Sequence, residues 1–454
     1  MKKGILIGLA AVLFLTGCGN KEEETVRETV SEMAAEGENT AGKEKTVLVL
    51  AAFGENRKLN KQIEQFNREN GEYEIQIKMY ERSSDVGEDG VVRLQREIMS
   101  GEGPDLIDFG WDYTTSDIVG KYTEDLFPFM ERAGIRREDF FANVWDAFCY
   151  QGGLYAMPVS FTLETFVGEK EALGGRTSWT VDEMIECYQE KSDQMMLYPG
   201  EMKKDVFGTI LTGSMDTYID WESGECSFDG EAFRQVLMFA NMFPDSLNIA
   251  EDFSIKQKFL DGEALLLKLR LSEIYDICKA ELIFGEKDVA YIGFPLDGEC
   301  GTVIRPSYPM LAISIGSEYK EAAWEFIVGF LDEQYQKELT YELPVRRSVL
   351  EEALLENREP EYETDAEGNQ KMKPRSEIIF EGEEPVELYC VTEKQADELI
   401  DLIESATVCA TTDFQLYNVF LEEADSYFSG DKSLEEAAAV IQSRASIYVG
   451  ERKR

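Results

Sequence analysis

Trp111, Asp112 and Tyr113 stand directly after a short apolar run, Leu106 to Phe109, and combine flat aromatic faces with a planar carboxylate. Aromatic faces cover the apolar C–H surface of a sugar ring, and planar polar groups take its hydroxyls, so the combination suits binding of a hydroxyl-rich ring. Phe53 and Glu55 repeat it at the end of another apolar run, Thr46 to Phe53. A plainer reading stays open for both sets: rim residues that cover a core of their own. Histidine is absent from all 454 residues, which removes Ser-His-Asp and Cys-His catalytic pairs, the HExxH zinc site and any histidine general base. There is no GxxxxGK phosphate loop, no GxGxxG fingerprint and no EF-hand spacing, so no cofactor or metal is implied. Carboxylate chemistry such as a glycosidase pair remains, but among 90 acidic residues a close pair carries little information.

The elements that must position these residues show in the hydrophobic period. The unbroken run Thr46 to Phe53 fits a parallel strand covered on both faces. Leu59, Ile63 and Phe66 follow at helical spacing, and Tyr73, Ile75, Ile77 and Met79 then alternate with polar residues as a strand does. A second helical stretch, Val91 to Met99, is broken at Gly101, Gly103 and Pro104 before the strand Leu106 to Phe109. That βαβαβ order predicts an α/β lobe on a mainly parallel sheet, where ligand groups sit beyond the carboxyl ends of strands. Further strands are expected at Tyr155 to Ser160, Ala264 to Leu269, Val289 to Phe294 and Met310 to Ile315. Thr180 with Glu183, Thr392 with Gln395 and Ser433 with Glu436 have capping-box spacing and mark helix starts. Residues 356–392 look like a surface excursion, and the chain is helical from about Asp413 to Tyr448.

Net charge is −45, which argues against nucleic acid or an anionic bilayer surface as a partner. At the N-terminus, Lys2 and Lys3 precede an apolar run, Ile5 to Leu15, that is shorter than the about 20 residues a membrane span needs. It ends in Leu15-Thr16-Gly17-Cys18, which resembles the bacterial lipobox. In that reading residues 1–18 are a signal peptide ending in Cys18, which is lipidated, with palmitate among the acyl chains expected. The lipid is the membrane anchor, on the outer face of the bacterial cytoplasmic membrane. Residues 19–45, rich in Glu, Lys, Gly, Thr and Ser, read as a disordered tether. The remaining cysteines are scattered without CxxC spacing, which suggests buried thiols rather than a zinc site or a disulfide framework.

Several short segments, taken in order, resemble the extracellular solute-binding proteins of bacterial ABC transporters, family 1, the maltose-binding-protein-like group. They are Ser100-Gly101-Glu102-Gly103-Pro104-Asp105, Gly153-Leu154-Tyr155-Ala156-Met157-Pro158-Val159-Ser160, Ser178-Trp179-Thr180 and Phe259-Leu260-Asp261-Gly262-Glu263-Ala264. Gly293-Phe294-Pro295, Ala312-Ile313-Ser314, Glu321-Ala322-Ala323-Trp324-Glu325-Phe326 and Leu343-Pro344-Val345-Arg346 complete the series over roughly residues 46–347. Two segments depart from the family pattern. Glu164 to Lys170 replaces its Tyr-Asn-Lys stretch, and Leu265, Leu266 and Leu267 replace its Ala-Met; both bear on the ligand more than on the fold.

The resemblance implies an α/β fold of the type II periplasmic binding proteins: two α/β lobes, a hinge and an interlobe ligand cleft. Lobe 1 would be 46–157 with 295–345, and lobe 2 158–294 with 346–454 and the C-terminal helices. The chain would cross between them near Pro158 to Ser160 and near Phe294-Pro295. Phe161 and Glu164 after the first crossing, Arg270 after the Ala264 to Leu269 strand, and Tyr308 beside the second then join Phe53, Glu55, Trp111, Asp112 and Tyr113 as ligand-binding candidates. Core packing or a salt bridge is the alternative for each. Trp179, Trp324 and Trp221 are assigned to packing. The implied function is capture of a sugar or oligosaccharide by a monomer and its delivery to the membrane subunits of an ABC permease, without catalysis. A lipid-anchored glycosidase, a sensor or adhesin of the same fold, and a binding protein for a non-sugar solute stay open.

Overall fold

The computed structural model describes residues 45–80, 90–110, 119–191, 195–221, 223–246, 254–296, 300–365, 368–380, 384–410 and 414–452. Cys18, residues 19–44 and the trio Trp111, Asp112 and Tyr113 lie outside the described residues. Among those described, no helix is long and apolar enough to cross a membrane.

The first strand, β1 (Thr46–Ala52), is buried along its carboxyl half, as its unbroken apolar run requires. Asn56 then caps the helix Arg57–Glu69, its side chain accepting from the Lys58 and Leu59 N–H groups. Leu59 and Ile63 are buried on one stripe of that helix. β2 (Tyr73–Met79) and β3 (Leu106–Asp108) pair in parallel on either side of β1. Two further strands, β4 (Met157–Pro158) and β11 (Met310–Ile313), complete the sheet in the order β2-β1-β3-β11-β4, with β11 antiparallel to both neighbours.

Only Val159 separates β4 from β5 (Ser160–Glu169), so one extended segment leaves the first sheet and becomes the central strand of a second. Around β5 lie β8 (Leu267–Leu271), β9 (Val289–Tyr291), β10 (Val303–Pro306) and β12 (Leu343–Pro344), and β17 (Val408–Cys409) pairs with β10. Three two-stranded hairpins stand apart: β6 (Ile219–Asp220) with β7 (Glu225–Cys226), β13 (Glu361–Thr364) with β14 (Gln370–Lys373), and β15 (Ser376–Ile378) with β16 (Val386–Leu388).

The return crossing is not at Phe294-Pro295. The chain passes back from β10 to β11, between Pro306 and Met310. Phe294 is instead buried in the second lobe, where Gly293 (φ 70°) bridges Gly301 so closely that a Cβ on Gly293 would lie 2.1 Å from the Gly301 carbonyl carbon. Two glycines without Cβ let these two stretches run side by side in parallel within the second lobe. Consequently Val303–Pro306 and Leu343–Pro344, inside the range expected for the first lobe, pair within the second sheet.

Two apolar clusters fill the interior. The larger runs from the first sheet to one face of β5, taking Phe161, Leu163 and Val167; the other holds Phe166 among the helices Val181–Gln189, Lys203–Ser214, Glu231–Ala240, Phe414–Phe428 and Leu434–Arg452. The capping boxes form at Thr180, Thr392 and Ser433. Trp179 and Trp324 are buried, and Trp179 donates its indole N–H to the Gly293 carbonyl at 3.0 Å. Trp221, at the turn of the β6–β7 hairpin, is instead 42% exposed. Of the cysteines, Cys187 and Cys278 are buried, whereas Cys390 is exposed.

Candidate functional site

Strand alternation divides β5 cleanly. Phe161, Leu163 and Val167 enter the larger core, and Ser160, Thr162, Glu164 and Phe166 occupy the opposite face. At one end of that face, Ser160 Oγ donates to Glu342 Oε2 at 2.7 Å, and Glu342 pairs at 3.0 Å with Lys58, on the helix that follows β1. At the other end, Phe166 packs on Tyr198 and Phe294, with ring centroids 5.6 and 5.0 Å away. Thr162 and Glu164 therefore occupy the stretch of strand that bridges the first lobe and the core of the second.

Neighbouring strands add cations to this floor. Register places Arg305 of β10 opposite Thr162, and Arg270 of β8 opposite Glu164. Directly paired residues share a face, so all four side chains lie on one side of the sheet. Arg305 Nε approaches Glu164 Oε2 to 2.8 Å, out of line for a hydrogen bond, which makes the contact coulombic. Arg305 also donates a long bond, 3.4 Å, to the Ala410 carbonyl. Thr162 Oγ1 is buried without a hydrogen-bond partner among the described residues.

The facing rim is built at the ends of β1 and β3. Asp108, 3% exposed, accepts from the Gly110 and Met310 N–H groups at 3.1 and 2.9 Å and so ties the end of β3 to the crossing strand β11. Burial pushes its carboxyl up to about 6, against the lowering effect of those two bonds. Gly110 takes φ 54°, and a Cβ there would lie 2.5 Å from the Tyr308 ring. Tyr308 thus packs directly on the backbone at the start of the segment that carries Trp111, Asp112 and Tyr113.

Of the residues expected from sequence, Phe161 is a correction. Because β5 continues to Glu169, Phe161 is an interior strand residue, fully buried and edge-on to Phe141 at 6.2 Å, not a cleft residue. Arg270 lies within β8 rather than after it, because the leucine run 265–267 hides alternation that begins only at Leu267. It is nevertheless exposed and beside Glu164. Phe53 is half-buried against Tyr80, 6.3 Å between centroids, and Glu55 is exposed. Tyr308 is half-buried beside the crossing. Sequence reasoning missed Thr162, Arg305 and Glu342. The Phe-Thr-Leu-Glu alternation after Ser160 was the available signal for Thr162, and nothing local marked the other two.

The fold and hinge define a class, two α/β lobes joined by antiparallel crossing strands. No family model matches the chain, and no curated protein matches it by sequence. Solved structures do match. The sugar-binding protein MalE from the phytopathogen Xanthomonas citri is similar with a TM-score of 0.55 at 15% identity, covering 90% of this chain and 98% of that one. A periplasmic oligogalacturonide binding protein from Yersinia enterocolitica gives a TM-score of 0.54 at 16% identity, covering 90% and 100%. An extracellular solute-binding protein family 1 structure from Alicyclobacillus acidocaldarius gives 0.50 at 14%, covering 90% and 99%. The chain has the two-lobed α/β fold of the MalE-like extracellular solute-binding proteins.

Proposed function

We propose that this protein is an extracytoplasmic solute-binding lipoprotein that holds a sugar or oligosaccharide between its lobes and delivers it to an ABC permease. Cys18 carries the lipid, and residues 19–45 tether the folded part outside the membrane. The observation that carries the reading is the polar floor on β5, where Thr162, Glu164, Arg270 and Arg305 lie on one sheet face between the lobes. Thr162 Oγ1 is buried on that face without a partner among the described residues, and a polar ligand would satisfy it. The fold of sugar-binding proteins supports the ligand class. Glu164, Arg270 and Tyr308 are its ligand contacts, with Phe53, Glu55, Trp111, Asp112 and Tyr113 on the facing rim.

A thermal-shift screen of residues 19–454 against mono- and oligosaccharides tests it. Ligand at a hundredfold excess over its dissociation constant adds about 2.7 kcal/mol to the native state. The expected result is a raised midpoint with one saccharide class, abolished by Trp111→Ala, and recovery of that saccharide unchanged after incubation. Cleavage of the saccharide would make the protein a glycosidase; a shift with peptides alone would overturn the sugar.

A further inference from the structure

The cleft floor has more positive charge than its own carboxylate neutralises, in a chain with twice as many acidic as basic side chains. Most of the basic side chains described sit in an ion pair. Arg270 and Lys268 are different. Both are exposed, they alternate outward along β8, and neither has an ion-pair or hydrogen-bond partner among the described residues. Arg270 stands opposite Glu164, but that carboxylate is engaged by Arg305 at 2.8 Å. Two guanidinium groups, Arg270 and Arg305, thus flank the one carboxylate Glu164, with Lys268 one pair further along β8, opposite Phe166.

Hydroxyls of a neutral saccharide can be held by uncharged amides and hydroxyls, so they do not require this surplus. An unpaired guanidinium beside a satisfied ion pair suits an oxyanion, which it engages through two parallel N–H groups. A second observation lies on the same strip. Thr162 Oγ1 is buried without a hydrogen-bond partner among the described residues, an unmet polar group of the kind a bound ligand satisfies.

We infer that the ligand of this cleft is an acidic saccharide, one whose sugar unit bears a carboxylate or another oxyanion, with Arg270 as the residue that selects for the charge. This rests on the solute-binding reading above. Arg305 stays with Glu164 and orients it toward the sugar hydroxyls, while Arg270 takes the anion and Lys268 raises the local potential. Binding then weakens with ionic strength, as screening of a partly exposed pair requires.

Calorimetric titration of residues 19–454 with a uronic acid oligosaccharide, its neutral hexose counterpart and a sugar phosphate, each at low and at 0.5 M salt, is the test. The acidic oligosaccharide is expected to bind at least about tenfold tighter than the neutral one, and Arg270→Gln to remove that advantage without moving the unfolding midpoint of the free protein. Preference for the sugar phosphate over the uronate assigns the oxyanion as phosphate and keeps the role of Arg270. Equal or tighter binding of the neutral sugar, or an Arg270→Gln variant that keeps its acid preference, overturns the inference and leaves solute binding intact. If no saccharide of any kind binds, both readings fall.

Discussion

Asp108 places a buried carboxylate where the first sheet meets the crossing strand, and its environment sets a measurable pH dependence. Burial raises its pKa from 3.8 to about 6. The folded state therefore holds the proton more tightly than the unfolded chain does. Stability contributed by the neutral form is present at low pH and is lost as pH rises through 4 to 6, levelling off above. A rise of that size is worth on the order of 3 kcal/mol. Asp108→Asn keeps an oxygen acceptor for the Gly110 and Met310 N–H groups and removes the charge. Urea denaturation of both proteins between pH 4 and 8 should show similar midpoints near pH 4 and a growing advantage for the variant up to about pH 7, on the order of 3 kcal/mol. Asp108→Ala strands both N–H groups and should cost roughly 2 to 4 kcal/mol even at pH 4, at about 1 to 3 kcal/mol per orphaned donor with partial relaxation. Parallel stability–pH curves for wild type and Asp108→Asn would refute the argument that burial, and not the two hydrogen bonds, dominates this site.

Glu201 provides a second window of the same sign: burial pushes it up to about 7, so Glu201→Gln should flatten the loss of stability between pH 4.5 and 7, read by the same denaturation series. Gly110→Ala forces a Cβ onto the Tyr308 ring at positive φ and should destabilise by about 1 to 3 kcal/mol in thermal melts. The double variant with Tyr308→Ala should recover the steric part but not the backbone part. Trp179→Phe removes the donor to the buried Gly293 carbonyl and is expected to cost about 1 to 3 kcal/mol in the same assay.

What was legible in the sequence was local. β1, the Arg57–Glu69 helix, β2 and the capping boxes at Thr180, Thr392 and Ser433 announce themselves by hydrophobic period and by side chains within one helical turn. The order of family-like segments carried the two-lobed α/β fold correctly. The floor of the cleft was legible only in part. Glu164 and Arg270 were named, yet their adjacency depends on the register of β5 with β8, which no local pattern encodes. Arg305 lies in a four-residue strand ending in Pro306, too short to show a period. Phe161 misleads because the run Tyr155 to Ser160 reads as a complete strand. Once it runs on to Glu169, the two-residue alternation assigns Phe161 to the core. Gly293-Phe294-Pro295 reads as an exit from a strand, while the parallel contact with Gly301 that keeps it in the second lobe is made by two residues lacking side chains.

The central claim, that the lobes close around a saccharide on the β5 floor, is tested most directly by small-angle X-ray scattering of residues 19–454, free and saturated with the saccharide that gives the largest thermal shift. Hinge closure predicts a smaller radius of gyration in the complex, and loss of that change in Arg305→Ala. A saturated complex with the same radius of gyration as the free protein, or an unaltered response in Arg305→Ala, would contradict it.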